Sequence, residues 1–270
     1  MWHKLDIWNW WSARIVKKIL QQENPDKVET HNLMGIGFMI PKLIQKLGYK
    51  HVHVLHDVQL VEPSGVLAWD HEKDNLIQKI YSWLMKKKFG QPDMVVTHSQ
   101  FLYNFYGDRS FFTNSEWQVN IYQVTTQLKF LSAMPKFLFV GSLVKHKGIE
   151  LLLKAWNKLE EVNNELHIVG NGILSNQVEE WGKGKEKVFV HGRLEGNELT
   201  KIYNECEILI FPSICLENKP VAIIEALEYG LHVIAADTGG VHEFVREKEN
   251  AWLFKPGDVE ELTKNIKRFI

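Results

Sequence analysis

Two glutamates and one lysine are the residues whose spacing suggests chemistry. Glu217-Asn218-Lys219-Pro220-Val221-Ala222-Ile223-Ile224-Glu225-Ala226 sets two carboxylates eight positions apart. Pro220 suits the first turn of a helix, where its missing N–H would be unpaired anyway. Glu217 then falls in the loop before that helix and Glu225 about a turn and a half inside it. The free amides at a helix start form an anion site. A diphosphate resting there would have one carboxylate on each side, each within reach of hydroxyls on the groups it joins. The plainer alternative is an acidic loop followed by a solvated helix glutamate.

Val140-Gly141-Ser142-Leu143-Val144-Lys145-His146-Lys147-Gly148 reads as a strand, a glycine turn, a basic loop and a helix start. Lys147 would neutralise phosphate there as a point charge, or simply be a solvated surface lysine. Gly170-Asn171-Gly172 is a third glycine turn, but it lacks the G-x-G-x-x-G spacing of a dinucleotide fingerprint. His51, His53 and His56 form H-x-H-x-x-H. On a strand His51 and His53 share one face. That would be a two-ligand zinc arrangement with no third ligand placed, so both read as ordinary strand residues and no metal is expected. His31 reads either as a cleft residue or as a strand-end cap.

The elements that must position these groups alternate between strand-like and helix-like, the signature of an α/β fold with parallel sheets. Helices are expected over 5–22, 37–47 and 73–88, from 100 onward, and over 148–159. Strands are expected over 28–31, 51–55, 93–97 and 119–124. Further strands follow at 137–140, 166–169, 188–190, 208–211, 233–236 and 252–254. The later strands are continuously apolar, which implies a sheet covered on both faces. Nearly all end in a Gly- or Pro-containing loop. In open α/β sheets ligands bind outside the carboxyl ends of the strands. The polar, aromatic stretch 107–132 marks a boundary, giving two expected domains, 1–132 and 133–270.

The composition fits this reading. The chain has 270 residues, 45% hydrophobic and 24% charged, with 32 Lys plus Arg against 33 Asp plus Glu. Near-neutral charge argues against a general nucleic-acid binder. Two cysteines, Cys206 and Cys215, make no disulfide framework, which fits a reducing, cytoplasmic setting. No apolar run is long enough to span a membrane, and the first residues lack the apolar core of a signal peptide. The unusual count is 10 tryptophans, with Trp2, Trp8, Trp10 and Trp11 at the start. Trp8, Trp11, Ile15 and Ile19 lie at helical spacing. They are expected to pack on their own sheet; the alternative is peripheral contact with the inner face of a membrane.

Taken in order, the motifs become specific. Phe139-Val140-Gly141 with Lys147-Gly148 comes first, then Ile168-Val169-Gly170-Asn171-Gly172, then Val190-His191-Gly192. Phe211-Pro212-Ser213 follows, then Glu217-x7-Glu225-Ala226, then Gly239-Gly240 with Glu243. From about Pro135 onward the chain resembles the donor-binding domain of retaining glycosyltransferases of family 4, the glycosyl transferase group 1 type. These have the GT-B fold, two Rossmann-like domains facing a cleft. Pro25-Asp26, Val54-Leu55-His56-Asp57 and Val95-Val96-Thr97-His98-Ser99 resemble the first domain less strongly.

The resemblance implies roles. Glu217 would contact the donor sugar, helped by backbone amides around Asn218 and Lys219, with Pro220 and Val221 also in the donor-binding segment. Glu225 would hold ribose hydroxyls. Lys147 would neutralise the diphosphate in place of a metal, beside the Gly141-Ser142 and Gly170–Gly172 turns. His191, Gly192, Arg193 and Leu194 would line the base pocket, and His56 would reach the sugar. No cofactor is implied beyond the donor itself, a UDP- or GDP-sugar. The implied reaction moves a hexose-type sugar with retention to a glycan or lipid-linked acceptor. Ser142 stands where the family usually has Arg, with Lys145 as a substitute. The family's first strand and glycine loop have no counterpart before Trp8, and its last helix is absent, so the resemblance implies truncation at both ends. A catalytically silent nucleotide-sugar binder and a sugar-nucleotide 2-epimerase are the competing functions.

Overall fold

The computed structural model describes residues 8–71, 73–122, 124, 127–159, 162–245 and 249–270. They fold as two compact units that divide between Ile121 and Tyr122. Composition places the boundary at 132/133, but the polar groups just before it are satisfied on the second unit. Tyr122 donates to Glu228 at 2.8 Å, and the Lys129 amide donates to the Gly230 carbonyl at 2.7 Å. The Lys129 ammonium donates to the carbonyls of Tyr203, Asn204 and Cys206 at 2.7, 3.0 and 2.7 Å. Those carbonyls end helix α7 (Gly196–Glu205), where backbone acceptors lack partners and the dipole favours a cation.

In the first unit, β1 (Lys27–Thr30), β2 (Lys50–Val54), β3 (Met94–Thr97) and β4 (Glu116–Val119) form one parallel sheet in sequence order. The helices are α1 (Trp10–Glu23), α2 (Ile40–Lys46), α3 (Leu76–Phe89) and α4 (Gln100–Gly107). Side-chain caps set the starts of α1, α3 and α4, and Pro41 sits in the first turn of α2. Asn9 accepts from the Ser12 amide, Asn75 and Gln78 form a capping box, and Ser99 accepts from the Leu102 amide. Asn24 stops α1 in the left-handed region, φ 41°, its N–H bonded to the Leu20 carbonyl.

Two expectations are corrected here. The fourth strand covers 116–119, not 119–124, because its ladder ends where β3, its neighbour among the described residues, ends, at Thr97↔Val119. Residue 123 lies outside the described residues, as do residues 5–7 of the expected first helix. The tryptophan stripe of α1 does not pack on the sheet either. Leu20, supported by Val16, carries the contact with Ile40 and Ile44. Trp11 stays 81% exposed, with Ile15 and Ile19 also outward. The stripe residues and the Val16–Leu20 pair lie on adjacent arcs of one helix, and the second arc is the one facing α2.

The second unit carries β5 (Phe137–Val140), β6 (Leu166–Val169), β7 (Val188–Gly192), β8 (Ile208–Phe211), β9 (His232–Ala236) and β10 (Ala251–Phe254). All are parallel, in the order β10-β9-β8-β5-β6-β7. The chain builds outward from β5 to β7, then returns through α7 to lay β8 on the other side of β5. The order reverses between β5 and β8, and such a reversal opens the crevice where α/β sheets take ligands.

Side chains alternate across the β5 strand. Phe137 and Phe139 join a core with Leu152, Trp156 and Ile208, while Leu138 joins the opposite core with Tyr203, Leu209 and Ile223. Helices α5 (Ile149–Asn157), α6 (Ser175–Gly182), α8 (Val221–Glu228) and α9 (Val259–Ile266) complete the covering layers.

Candidate active site

The loops after β5 and β8 flank the reversal, and they bring Lys147 and Glu217 together. Lys147 Nζ lies 2.7 Å from Glu217 Oε1, although 70 positions separate them. Both groups are shielded, with side-chain exposures of 30% and 10%. The Ser213 hydroxyl donates to the same oxygen at 2.6 Å, and the Cys215 thiol reaches it at 3.5 Å. Burial first, then the Glu217 carboxylate, pushes the Cys215 thiol up to about 11, so it is a neutral donor. All three contacts fall on Oε1. The acidic-loop alternative is therefore set aside for Glu217, whose carboxylate is buried and bonded.

The backbone here is packed too closely for side chains. Gly148 turns at φ +73°, and a Cβ on it would lie 1.7 Å from the Pro212 carbonyl oxygen. The Ile214 amide and the Ser213 hydroxyl both donate to the His146 carbonyl, at 2.9 and 3.3 Å. The β5 and β8 loops thus interlock through main chain, and glycine is required at the crossing. A Cβ on Gly170 would meet the Gly141 carbonyl oxygen at 1.8 Å, joining the β5 and β6 turns in the same way. Gly172 sits close to Leu143, whose amide donates to Asn171 at 2.8 Å. From the β9 side, the Gly240 amide donates to the Glu217 carbonyl at 2.7 Å and Thr238 donates to that of Cys215 at 2.9 Å.

Pro220 caps α8, Asn218 is buried, and Lys219 and Val221 face solvent at the helix start. Glu225 is not a freely solvated helix residue. Its Oε2 accepts from the buried Tyr203 hydroxyl at 2.8 Å, and the Tyr203 ring stacks on Tyr229 at 5.1 Å and 3°. Burial, then the Glu225 charge, raises the Tyr203 pKa well above the ordinary phenol value, so the hydroxyl keeps its proton.

Ser142 is exposed beside Gly141, and Lys145 starts the short turn that ends at Lys147. His191 stacks on His167 at 5.2 Å, and their ring nitrogens approach to 3.0 Å. Burial, and then the neighbouring imidazole, lowers the His191 pKa. The Gly192 carbonyl accepts from the Gly170 amide at 2.7 Å. Arg193 is on the surface, paired with Glu195, and Leu194 packs against the α8-side core.

In the first unit, His56 follows β2, and its Nε2 lies 2.9 Å from His31 Nδ1. Glu29 holds the other nitrogen of His31 at 3.0 Å, and His31 also lines a small cavity with His56, so both readings of His31 are compatible with its place. His51 and His53 do share a face, and both direct a nitrogen to the Thr30 hydroxyl at 2.8 Å. Burial holds them far below the usual imidazole range, at about 4 and about 3. Among the described residues no group of three or more potential ligands gathers as a metal site.

Sequence reading missed Ser213 as a partner of Glu217 and Tyr203 as a partner of Glu225. The Phe211-Pro212-Ser213 strand end was a signal for the first; nothing in the sequence pointed to the second.

A nucleotide-type α/β sheet with a lysine–glutamate pair at its reversal defines a class, and the family follows from comparison. Residues 126–270 match the family described as Glycosyl transferases group 1, and residues 1–119 match Glycosyltransferase Family 4. The chain belongs to the glycosyl transferases group 1 family. Sulfoquinovosyl transferase SQD2 of Arabidopsis thaliana is 30% identical over 139 residues, 50% of this chain and 26% of that protein. The amylovoran biosynthesis glycosyltransferase AmsK of Erwinia amylovora is 27% identical over 143 residues, 49% of this chain and 35% of that protein. The aligned part thus spans about a quarter to a third of these relatives' length.

Sucrose-phosphate synthase from Thermosynechococcus elongatus superposes with TM-score 0.72 at 20% identity, covering 95% of this chain and 67% of that one. The Anabaena protein HepE in complex with UDP-glucose gives 0.71 at 16%, covering 95% and 71%. The fold is α/β of the GT-B class, with one parallel sheet in each unit.

Proposed function

We propose that this protein is a retaining glycosyltransferase that moves a hexose-type sugar from a UDP- or GDP-sugar to a glycan or lipid-linked acceptor. The observation that carries this reading is the Lys147–Glu217 pair at the reversal between β5 and β8. The HepE structure that superposes on the chain is described as holding UDP-glucose.

The chemistry follows from the charges. The acceptor hydroxyl oxygen bonds to the sugar's anomeric carbon. The bond from that carbon to the β-phosphate oxygen breaks, and its electron pair stays on the phosphate. The acceptor proton goes to that same phosphate oxygen, on the face the leaving group occupied, so configuration is retained and no protein nucleophile is needed. Lys147 and the amides at the start of α8 stabilise the developing diphosphate charge. Ser213 and Lys147 fix Glu217 through Oε1, and its second oxygen serves the sugar hydroxyls. Glu225, oriented by Tyr203, takes the ribose. Within the first unit, His56 is held by His31. No metal or further cofactor is required by this scheme.

Glu217→Gln tests it. The amide keeps the Ser213 hydrogen bond but loses the charge. Sugar transfer should fall by about a hundredfold or more, the scale of a lost electrostatic contact in a preorganised site. UDP affinity should hold or rise, because Lys147 loses its competing carboxylate. Undiminished transfer would overturn the assignment. Ser142, at the family's usual arginine position, favours one second reading, a nucleotide-sugar binder without turnover. Tight UDP binding by calorimetry with no transfer to any acceptor in the wild-type chain would establish that reading instead.

A further inference from the structure

A groove of about 660 Å³ lies on the helical face of the first unit, between α1, α2 and α3. Its charged lining is of one sign: Arg14, Lys17, Lys42, Lys46, Lys87 and Lys88. Among the described residues no Asp or Glu lines it, in a chain whose formal net charge is only −1. Among the described residues, none of the six cations has a carboxylate within ion-pair distance. Like charges crowded without counter-charges repel, so this arrangement is complementary to an anion.

The rest of the lining is apolar: three tryptophans with Ala13, Met39, Leu43 and Leu84. Trp8, Trp10 and Trp83 contribute to the walls. Lys88 Nζ lies 3.3 Å from the Trp8 ring centroid, and Lys87 Nζ lies 3.8 Å from that of Trp83. These contacts hold both ammonium groups at the rim. Lys42 donates to the Lys87 carbonyl at 3.0 Å, tying α2 to the last turn of α3.

A second observation decides the kind of anion. Leu76, Ile80 and Trp83 follow the i, i+4, i+7 spacing of one helix face, and they are 73%, 58% and 56% exposed. The adjacent Ile77 is 78% exposed. This apolar row runs along the outside of α3 and ends at the lysines of the groove. A small soluble anion has no use for an exposed apolar row. An acidic protein surface would be matched by an apolar core ringed by charge, whereas here cations gather at one end of an apolar strip. Headgroup phosphates over an acyl boundary satisfy both ends.

We propose that this groove and the outer face of α3 form a docking site for the surface of an anionic phospholipid bilayer, with headgroup phosphates taken by the lysines and Trp83 seated at the interface. Of the tryptophan stripe that opens the chain, Trp8 lines the groove, whereas Trp11, Ile15 and Ile19 do not. The docking site does not depend on the sugar-transfer reading, since every residue belongs to the first unit and UDP binding can be measured independently.

The test is vesicle co-sedimentation of the full chain. Phosphatidylcholine vesicles are compared with vesicles containing about 30 mol% phosphatidylglycerol. The wild type should partition to the anionic vesicles at least tenfold more strongly. That preference should vanish in about 0.5 M salt, where surface charges are screened. Lys42→Glu with Lys87→Glu should abolish it. Trp83→Ala should weaken binding several-fold, and Trp83 fluorescence should shift blue on anionic vesicles in a chain retaining that tryptophan. Circular dichroism and UDP binding report whether each variant is folded, and the milder Lys87→Gln should still lower partitioning severalfold. Equal partitioning to neutral and anionic vesicles overturns the proposal. So does full binding by the charge-reversed variant, or binding of inorganic phosphate or an acidic protein with no vesicle binding.

Discussion

The Tyr203 hydroxyl on α7 donates to Glu225 Oε2 on α8 across 2.8 Å, from a tyrosine ring that is itself 1% exposed. A buried donor fixes the rotamer of a carboxylate that would otherwise sample solvent. Tyr203→Phe keeps the ring and its stack on Tyr229 but removes the donor. UDP affinity should fall about fivefold, near 1 kcal/mol, the typical net worth of one hydrogen bond. Titration calorimetry reads this directly, and unchanged affinity would separate Glu225 from the ribose.

Gly148→Ala should damage the second unit rather than a single contact. The new methyl would fall 1.7 Å from the Pro212 carbonyl oxygen at a backbone φ of +73°. Relief requires parting the β5 and β8 loops, so a loss of roughly 3 kcal/mol or more is expected. Urea unfolding gives the measurement, and a loss under 1 kcal/mol would show that the crossing is looser than its geometry.

Ser142→Arg should strengthen donor binding. Residue 142 is exposed, so a long side chain is accommodated. A guanidinium there would add a bidentate partner for diphosphate where only point charges stand now. UDP should bind about tenfold tighter at low salt, and the gain should shrink as salt rises. No gain would mean that Lys145 already fills the role.

Acid should destabilise the first unit through His51 and His53. Their folded pKa values, about 4 and about 3, lie below the ordinary 6.5. Above pH 6.5 both folded and unfolded chains hold neutral imidazoles and the pair has no pH effect. As pH falls below 6.5 the unfolded chain takes up protons that the folded chain refuses, so stability drops. By pH 5 the loss should be about 2 kcal/mol per histidine. Melting temperatures between pH 7.5 and 5 test this, and His53→Gln, which cannot titrate, should remove about half the slope.

What the sequence disclosed followed from local patterning. Continuous apolar runs ending in glycine or proline marked β5, β6, β8 and β9, because strands buried on both faces need no alternation. Asn24 and Pro220 marked helix ends because their constraints are local. What stayed hidden depended on partners far along the chain. β4 is an edge strand whose extent is set by β3, so its own residues misplaced it. The α1 stripe showed that the helix has an apolar arc, but only α2 determines that Leu20, flanked by a partly buried Val16, is the one buried. Lys147 and Glu217 were each legible, yet their direct contact, and the Ser213 and Tyr203 grips, arise from the order in which strands are laid down.

That strand order also bears on folding kinetics. The first sheet adds each strand beside its predecessor, β1 to β4. In the second, β5 gains its β8 neighbour only after β6 and β7 have been made, and the Lys147–Glu217 contact spans 70 residues. Contacts of long sequence separation form late, since chain entropy must be lost before they stabilise anything. The Lys147–Glu217 contact therefore cannot form before β8 docks. Until β8 docks, one edge of β5 is open for pairing, so crowding and synthesis rate should affect the yield of active protein more than they affect its final stability.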